Sequence, residues 1–202
     1  PVLVHTLYAF QDCPLVDRVV VVTREDLLVE VGRLCKDFAL DKVVKVVVGG
    51  AERIHSVQAG LQELPSDTQL VAIHDGVRPL VTQQVLSEVI RRAAVTGAAA
   101  PAIPVIDTIK RGEDGVIQET VDRTQLWAVQ TPQVFEEGLI RAAVHQAVKE
   151  GELLTDDCAA VERLGMRISL TAGSRENIKI TTPFDLILGE AILQAREEGL
   201  LS

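Results

Sequence analysis

Two hydrophobic patterns alternate along this chain, and their alternation predicts an α/β fold. Asp17–Thr23 is a short valine-rich run, typical of a buried strand, whereas Arg24–Phe38 spaces its apolar residues as an amphipathic helix does. Further strands are predicted at Lys42–Val48, Gln69–His74, Ala98–Val105 and Arg167–Ala172, and further helices at Leu3–Phe10, Arg53–Leu64, Thr82–Val95, Glu136–Glu150, Asp156–Leu164 and Pro183–Glu198. Strands that alternate with helices favour a twisted, mostly parallel sheet flanked by helices.

The alternation is interrupted between residues 107 and 130, where no long helix is predicted. Two strand-like pieces flank the sequence Gly112–Gly115, which favours a turn. We interpret this region as a β-arm that protrudes from a single domain spanning residues 1–202. Elsewhere the helices have clear end signals: Thr82, Thr155 and Thr182 are predicted N-caps, and Gly165 is predicted to end a helix.

Composition and charge exclude several classes of function. The chain has 202 residues, of which 47% are hydrophobic and 24% charged, and its apolar runs fall short of the ~20 residues of a membrane span. No signal peptide is recognised at its start, so a cytoplasmic location is expected. A net charge of −9, with one Trp, one Tyr and four Phe, argues against nucleic-acid binding. To bind an anionic metabolite, so acidic a chain must gather a few Lys and Arg in one cleft.

The cysteines and histidines predict neither a disulfide nor a zinc site. Cys13, Cys35 and Cys158 are far apart and form no CxxC motif, as expected of free thiols in a reducing compartment. The four histidines show no metal-ligand spacing, so no metal site built by the protein alone is expected.

The strongest local signal is His74–Pro79, which directly follows a predicted strand. In open α/β sheets, ligands bind at the carboxyl ends of strands. There Asp75 can hold a sugar hydroxyl or a magnesium ion, and Arg78 can hold a phosphate with its planar guanidinium. The alternative is a structural turn in which Asp75 pairs with Arg78.

A second signal is Gly49–Ser56, two glycines between a predicted strand and a predicted helix. Glycines let a ligand approach the backbone, and the following helix N-terminus favours a polar or negative group. Ser56 adds a hydroxyl. An ordinary strand-to-helix turn explains the same residues, and the segment is neither a Walker loop nor a GxGxxG motif.

Three weaker signals lie in the second half of the chain. On the arm, Thr108 and Arg123 are candidates to face a phosphate, although their sequence context alone favours a solvated hairpin with surface charges. Thr155 begins a Thr-Asp-Asp run for which helix capping is a sufficient explanation. Lys179 lies in Asn177–Thr181, predicted as a short strand, and a lysine within a buried strand is rare unless it is paired. Lys179 is therefore the best catalytic candidate, the alternative being a solvated edge strand.

Together and in this order, these segments resemble the 2-C-methyl-D-erythritol 4-phosphate cytidylyltransferase family. The similarity extends over essentially the whole chain, and the segments that carry it are GGAERIHSV, HDGVRP, PVIDTIK, VDRTQLWAVQTPQVF, TDD and NIKIT. The resemblance implies a Rossmann-like sheet, and an enzyme that uses CTP and a polyol phosphate. It also implies Mg²⁺ held mainly by the CTP phosphates, and a homodimer whose arm completes the partner's substrate site.

The resemblance also assigns roles to individual residues. Those implied to contact the nucleotide are Gly49, Gly50, Ala51, Ser56 and Gly76. Ala51 stands where some relatives have an acidic side chain, so only a backbone contact is expected there. The residues implied to bind the polyol phosphate are Asp75, Arg78, Thr108, Arg123, Thr155 and Lys179. Arg123 and Lys179 correspond to the residues that position the attacking phosphate, Arg123 from the partner subunit.

The resemblance further implies a central strand and a glycine-rich triphosphate loop before residue 1, so we expect the natural protein to be longer. Two alternatives to the methylerythritol enzyme are considered. A ribitol 5-phosphate cytidylyltransferase would share the CTP half of the site and differ in its polyol pocket. A non-catalytic nucleotide-binding relative is favoured only by the missing glycine-rich loop, and the polar residues of the other motifs argue against it.

Overall fold

The computed structural model describes residues 1–152 and 154–201. The helices are α1 (Val2–Gln11), α2 (Leu28–Asp37), α3 (Arg53–Gln62), α4 (Gln83–Thr96), α5 (Glu137–Glu150), α6 (Asp157–Arg163) and α7 (Pro183–Glu197). The strands are β1 (Val19–Thr23), β2 (Val43–Val48), β3 (Leu70–Ile73), β4 (Ala98–Pro104), β5 (Lys110–Glu113), β6 (Val116–Thr120), β7 (Trp127–Val129), β8 (Gln133–Glu136) and β9 (Ser169–Ala172).

The strand directions confirm the predicted α/β class with a mostly parallel sheet. β8 runs antiparallel to both β3 and β4, so β3 and β4 point the same way, and β9 pairs parallel with β4. β1 and β2 form a second parallel pair. Only β7 and β8 in the main sheet run the other way, and both pair with β4. Each of these parallel strands follows a helix, as the crossover connections between parallel strands require.

The main hydrophobic core lies where β4 and β8 meet the helices. The small residues Ala98–Ala100 of β4 are almost completely buried, as are Val134 and Phe135 of β8. α5 packs Ile140 and Val144 against this region. Short side chains on β4 let the helices approach the sheet closely, so the run of alanines is explained by packing.

An apolar cleft of about 930 Å³ separates β1 from β3. Its walls include the valines of β1, the strand β3, and Leu7 and Phe10 of α1. In the part of the chain that the structure describes, β1 pairs only with β2, and β3 pairs only with β8. The expected single sheet is therefore divided along this cleft, and the residues that follow β3 lie at one end of it.

The arm predicted from the interrupted pattern is a two-stranded antiparallel hairpin. β5 and β6 are joined by Asp114 and Gly115, both with positive φ, 50° and 78°. Two residues in this conformation form the tight turn that Asp-Gly sequences favour in hairpins. Every residue of both strands is exposed, so the hairpin gains little stability from burial within its own chain.

Helix caps confirm most of the predicted ends and correct one. The side chain of Thr82 accepts a hydrogen bond from the Val85 amide, and Thr182 forms a capping box with Asp185. α6, however, is capped by Asp156, whose side chain accepts from the Ala159 amide, so the predicted cap at Thr155 is wrong by one residue. A carboxylate is at least as good an N-cap as a threonine hydroxyl. Asp156 directly follows Thr155 in the sequence, so it can take the cap position instead.

The strand predicted at Asn177–Thr181 is also wrong. These residues are irregular, and their anchors to the fold include a hydrogen bond from the Ile180 amide to the Val77 carbonyl, at 2.8 Å. The Lys179 side chain is 45% exposed. The burial argument that singled out Lys179 therefore fails, although the residue still lies at the site described below.

Candidate functional site

Three charged side chains converge at the end of β3. Asp75 follows the strand directly, and its Oδ2 atom lies 3.2 Å from Arg78 Nε and 3.2 Å from Lys179 Nζ. Two cations that face one carboxylate leave an excess of positive charge. The predicted structural pairing of Asp75 with Arg78 is thus present, but it occurs within a cationic cluster that can receive an anion.

The charge of the cluster is reflected in the pKa of Asp75. Burial alone would raise the pKa of this carboxyl, but Lys179, together with Arg53 and Arg78, holds it below its usual value. Asp75 is therefore ionised at neutral pH. Because Lys179 is half-exposed, its ammonium can turn from Asp75 toward a bound phosphate, whereas Arg78 is mostly buried and fixed by a second bond to the Asn177 carbonyl, at 2.8 Å.

A partly buried hydrogen-bond chain fixes the turn that carries Asp75 and Arg78. The Asp75 amide donates to Thr131 Oγ1 (3.1 Å), and that hydroxyl lies 2.9 Å from His74 Nδ1. His74 Nε2 lies 3.1 Å from the Arg78 carbonyl oxygen and must donate to it. Of the two neutral tautomers, only the one with hydrogen on Nε2 satisfies all three bonds, because Nδ1 then accepts from Thr131. Desolvation, the largest effect, lowers the pKa of His74 to about 4.

We expect His74 to make the fold sensitive to acid between pH 6.5 and 4. Below about pH 6.5 the unfolded chain takes up a proton on this histidine, whereas the folded protein resists protonation until about pH 4. Stability is therefore full above pH 6.5 and should fall by about 3 kcal/mol as the pH approaches 4. Urea unfolding at several pH values measures this.

A matched pair of variants isolates the contribution of His74. His74→Gln retains a donor for the Arg78 carbonyl but cannot titrate, so its free energy of unfolding should vary less over this pH window. His145→Gln, on the exposed face of α5, controls for the loss of a histidine elsewhere. Equal pH dependence in His74→Gln and the natural protein would show that His74 is not the titrating group.

The Gly49-Gly50 loop folds back tightly on the first turn of α3. The Gly50 amide donates to Ser56 Oγ at 3.2 Å. A Cβ atom at Gly49 would lie 2.5 Å from Ser56 Oγ, and one at Gly50 would lie 2.3 Å from the Cβ of His55. Both glycines are thus required by the local packing of the loop. Ser56 lines the same cleft as Asp75 and Gly76.

Other sequence-predicted site residues lie apart from this cluster in the isolated chain. Thr108 and Arg123 are exposed on the arm, and Arg123 donates to the Ile106 carbonyl. Thr155 is exposed just before α6. None of the hydrogen bonds or ion pairs among the described residues joins these three to Asp75 or Lys179. The geometry of one chain therefore assembles Asp75, Arg78 and Lys179, and leaves the arm residues available to another site.

The sequence motifs gave no indication of one strong ion pair at the site. Arg53, the first residue of α3, holds Asp157 through two bonds of 2.8 and 2.6 Å. Burial raises the pKa of the Asp157 carboxyl, an effect that Arg53 opposes. The Gln133 side chain accepts from the amides of Asp157 and Cys158. This network ties the start of α3 to the start of α6, and the only sequence signal for it was charge at two helix N-termini 104 residues apart.

The described residues contain no group of three or more His, Cys, Asp or Glu side chains placed to hold a metal ion. Asp75 is the one carboxylate in the cationic cluster. A single carboxylate of this kind can share a magnesium ion with substrate phosphates, because Mg²⁺ in such sites is bound by one or two carboxylates, water and phosphate oxygens. No helix in the described part of the chain has the length and apolar content needed to cross a bilayer.

Comparison with known proteins gives one consistent family. The sequence profile of 2-C-methyl-D-erythritol 4-phosphate cytidylyltransferase matches residues 1–195. The cytidylyltransferase of that name from Syntrophus aciditrophicus is 46% identical over 201 residues, which cover 98% of this chain and 86% of the relative. Its counterpart from Halalkalibacterium halodurans is 45% identical over 197 residues, with coverages of 98% and 86%.

Solved structures that resemble this chain belong to the same family as its relatives in sequence. The 4-diphosphocytidyl-2C-methyl-D-erythritol synthase from Anaerococcus prevotii superimposes with a TM-score of 0.86 at 29% identity, covering 96% of this chain and 86% of that one. The 2-C-methyl-D-erythritol 4-phosphate cytidylyltransferase from Thermus thermophilus gives a TM-score of 0.79 at 32% identity, with coverages of 96% and 89%. The similarity in sequence and in fold thus extends over nearly the whole chain.

Proposed function

This chain belongs to the 2-C-methyl-D-erythritol 4-phosphate cytidylyltransferase family, and from that premise we propose that it transfers a cytidylyl group from CTP to 2-C-methyl-D-erythritol 4-phosphate. The products are CDP-methylerythritol and pyrophosphate, and the reaction is a step in the synthesis of isoprenoid precursors. The observation that carries the proposal is the cationic cluster of Asp75, Arg78 and Lys179 at the carboxyl end of β3, where an anionic substrate can be held.

The reaction requires little proton transfer from the protein. A phosphate monoester has its second pKa near ~6, so the methylerythritol phosphate is largely ionised at neutral pH. One of its oxygens attacks the α-phosphorus of CTP, the bond to the β-phosphate breaks, and pyrophosphate leaves with its electron pair. The main barrier is the approach of two anions, so catalysis rests on positioning and on positive charge.

The residues of this chain divide between the two substrates. Lys179 and Arg78 supply positive charge for the attacking phosphate, and Asp75 orients them and accepts a hydrogen bond from a polyol hydroxyl. The loop before α3 and the first turn of that helix bind the nucleotide. The backbone of Gly49–Ala51 and the Ser56 hydroxyl face the cytosine, and the Gly76 backbone lies near the ribose. Thr155, exposed just before α6, completes the polyol phosphate side of the site. The network of Arg53 and Asp157 supports this division because it holds the start of α3 against the start of α6.

Thr108 and Arg123 act in a second copy of the chain, in a homodimer formed through the arm. Exposed apolar side chains on and beside the hairpin support this, since Val116 is 61% exposed, Ile117 65% and Trp127 46%. Large apolar residues left uncovered in this way are typical of protein interfaces. Ile109 and Leu126, two further apolar residues of the arm, are partly buried in the isolated chain.

Mg²⁺ is the proposed cofactor, carried mainly by the CTP phosphates, with Asp75 as the nearest carboxylate of the cluster. When bound, it neutralises phosphate charge and makes the approach of the second anion easier. We place the enzyme in the cytoplasm, an assignment supported by three buried free thiols, which are typical of a reducing compartment.

A pyrophosphate-release assay with a panel of acceptors tests the proposed substrate. The protein from its complete reading frame, with CTP and Mg²⁺, should release pyrophosphate with methylerythritol phosphate and stay at background without an acceptor. Ribitol 5-phosphate, which lacks the branched methyl carbon, should react at least about tenfold more slowly, as expected when a pocket discriminates small differences of shape. Faster release with ribitol 5-phosphate would identify the alternative enzyme, and no release with either would support a non-catalytic relative.

A further inference from the structure

The backbone around Lys179 lies outside the sheet, so its position depends on specific hydrogen bonds. Residues 173–181 form no strand, and Lys179 itself is half-exposed. A catalytic lysine on an irregular segment must still be held to within a fraction of an ångström, because rate falls steeply when a positioned charge moves. The side chains that hold this segment are therefore part of the site's design.

Asn177, two residues before Lys179, makes most of these bonds. Its side chain is completely buried, and its Nδ2 donates to the Thr131 carbonyl oxygen at 2.9 Å. The Asn177 backbone carbonyl accepts a hydrogen bond from Arg78 Nη1, at 2.8 Å. One residue thus binds the Lys179 segment both to the arginine of the cationic cluster and to Thr131, whose hydroxyl supports the turn that carries Asp75.

Gln130 provides a second anchor from the base of the arm. Its Nε2 donates to the Ser174 carbonyl at 2.7 Å, and its Oε1 accepts from the Ser174 amide at 3.2 Å. The Asn177 side chain also donates to Gln130 Oε1, at 3.4 Å. Gln130 lies where the chain returns from the arm to the sheet. Both the oxygen and the nitrogen of its side-chain amide hold residues 174–177.

We propose that Asn177 is a positioning residue that sets the place of the Lys179 ammonium, with Gln130 as its support. The inference rests on the proposed function, since it concerns the same phosphate site. Asn177 touches no substrate and acts only through the segment it holds. Its removal should therefore lower kcat through Lys179 and leave recognition of the cytosine, on the α3 side, unchanged.

A double-mutant cycle separates positioning from general stability. Asn177→Ala should lower kcat about tenfold or more when Lys179 is present, and by less than about twofold in a Lys179→Ala background, because the residue it positions is already gone. The KM for CTP should stay within about twofold of the natural value in every variant. An equal fold-loss of kcat in both backgrounds would overturn the proposal.

Thr171→Val is the matched control. Thr171 is a buried residue of β9 whose hydroxyl has no hydrogen-bond partner among the described residues, so removing the hydroxyl tests the loss of a buried polar group away from Lys179. It should leave kcat unchanged, and a loss equal to that of Asn177→Ala would count against positioning. If Asn177→Ala fails to fold, Gln130→Ala takes its place in the cycle, with the same expected pattern and the same contradicting result.

Hydrogen exchange tests the positioning role of Asn177 without relying on catalytic activity. If the natural protein makes no product, the proposed function fails, and the positioning claim is then read from the Ile180 amide, which donates to the Val77 carbonyl. This amide should exchange at least about tenfold faster in Asn177→Ala than in Thr171→Val, because a released segment opens more often. Equal exchange rates in the two variants would contradict the positioning role.

Discussion

Lys179→Ala should lower kcat by about 100-fold while leaving the fold intact. A positioned cation beside a developing anion is worth about 3 kcal/mol of barrier, and Lys179 is the one cation of the cluster exposed enough to turn toward the substrate. Its removal leaves Asp75 paired with Arg78, so no carboxylate becomes isolated and the melting temperature should change little. Steady-state kinetics with CTP and methylerythritol phosphate, together with thermal unfolding, measure both effects.

Two further substitutions calibrate the loss. Lys179→Arg keeps the charge but changes its shape and reach, so it should recover only part of the rate. Lys149→Ala, at an exposed position near the end of α5, removes a lysine far from the cluster and should leave kcat unchanged. A Lys179→Ala enzyme that retains the natural kcat would remove Lys179 from the mechanism.

Arg123→Ala should be comparably inactive, and mixing it with Lys179→Ala should restore activity. In a heterodimer of the two variants, the chain that keeps Lys179 receives an intact arm from its partner, so one of the two sites is complete. With random exchange of subunits, half of the dimers are heterodimers, and the mixture should reach about a quarter of the natural specific activity. Each variant alone should stay near its own low level.

The mixing experiment needs proof that subunits exchange. Mass spectrometry of intact dimers, with one variant isotope-labelled, provides it. If labelled heterodimers form and activity does not return, Arg123 serves its own subunit's site or none, and the cross-subunit arrangement is contradicted. A protein that stays monomeric at micromolar concentration in light scattering would contradict the dimer itself.

Local patterns predicted the elements well because the forces that form them are local. The alternation of valine runs and helical spacing located every helix from α1 to α7 to within about three residues at most boundaries. The Asp-Gly sequence predicted the hairpin turn because few residues tolerate positive φ at both positions. The capping residues predicted where α4 and α7 begin. The predicted N-cap of α6 was wrong by one residue, because Thr155 and Asp156 are adjacent and both are good caps.

What the sequence missed depends on contacts between distant residues. Lys179 was singled out as a lysine in a buried strand, but the structure places it half-exposed on an irregular segment, held by Asn177 and Gln130. The Arg53–Asp157 pair joins two helix starts, and no local periodicity reports such a pairing.

The family supplies the reaction and the division of roles, whereas the structure supplies the reasons those residues can act. Asp75, Arg78 and Lys179 are brought within hydrogen-bonding range by the turn after β3, and that turn is fixed by a neutral His74. The chemistry is therefore set by the carboxyl end of β3 and by the segment that follows β9.

An isotope-transfer experiment tests the central claim most directly. Methylerythritol phosphate labelled with ¹⁸O in its phosphate is incubated with CTP, Mg²⁺ and the protein from its complete reading frame, and the products are analysed by ³¹P NMR and mass spectrometry. Attack by the substrate phosphate on the α-phosphorus predicts a CDP-methylerythritol product with ¹⁸O in the bridge between its two phosphorus atoms, and pyrophosphate free of label. Unchanged CTP, or a labelled pyrophosphate, would contradict cytidylyl transfer by this protein.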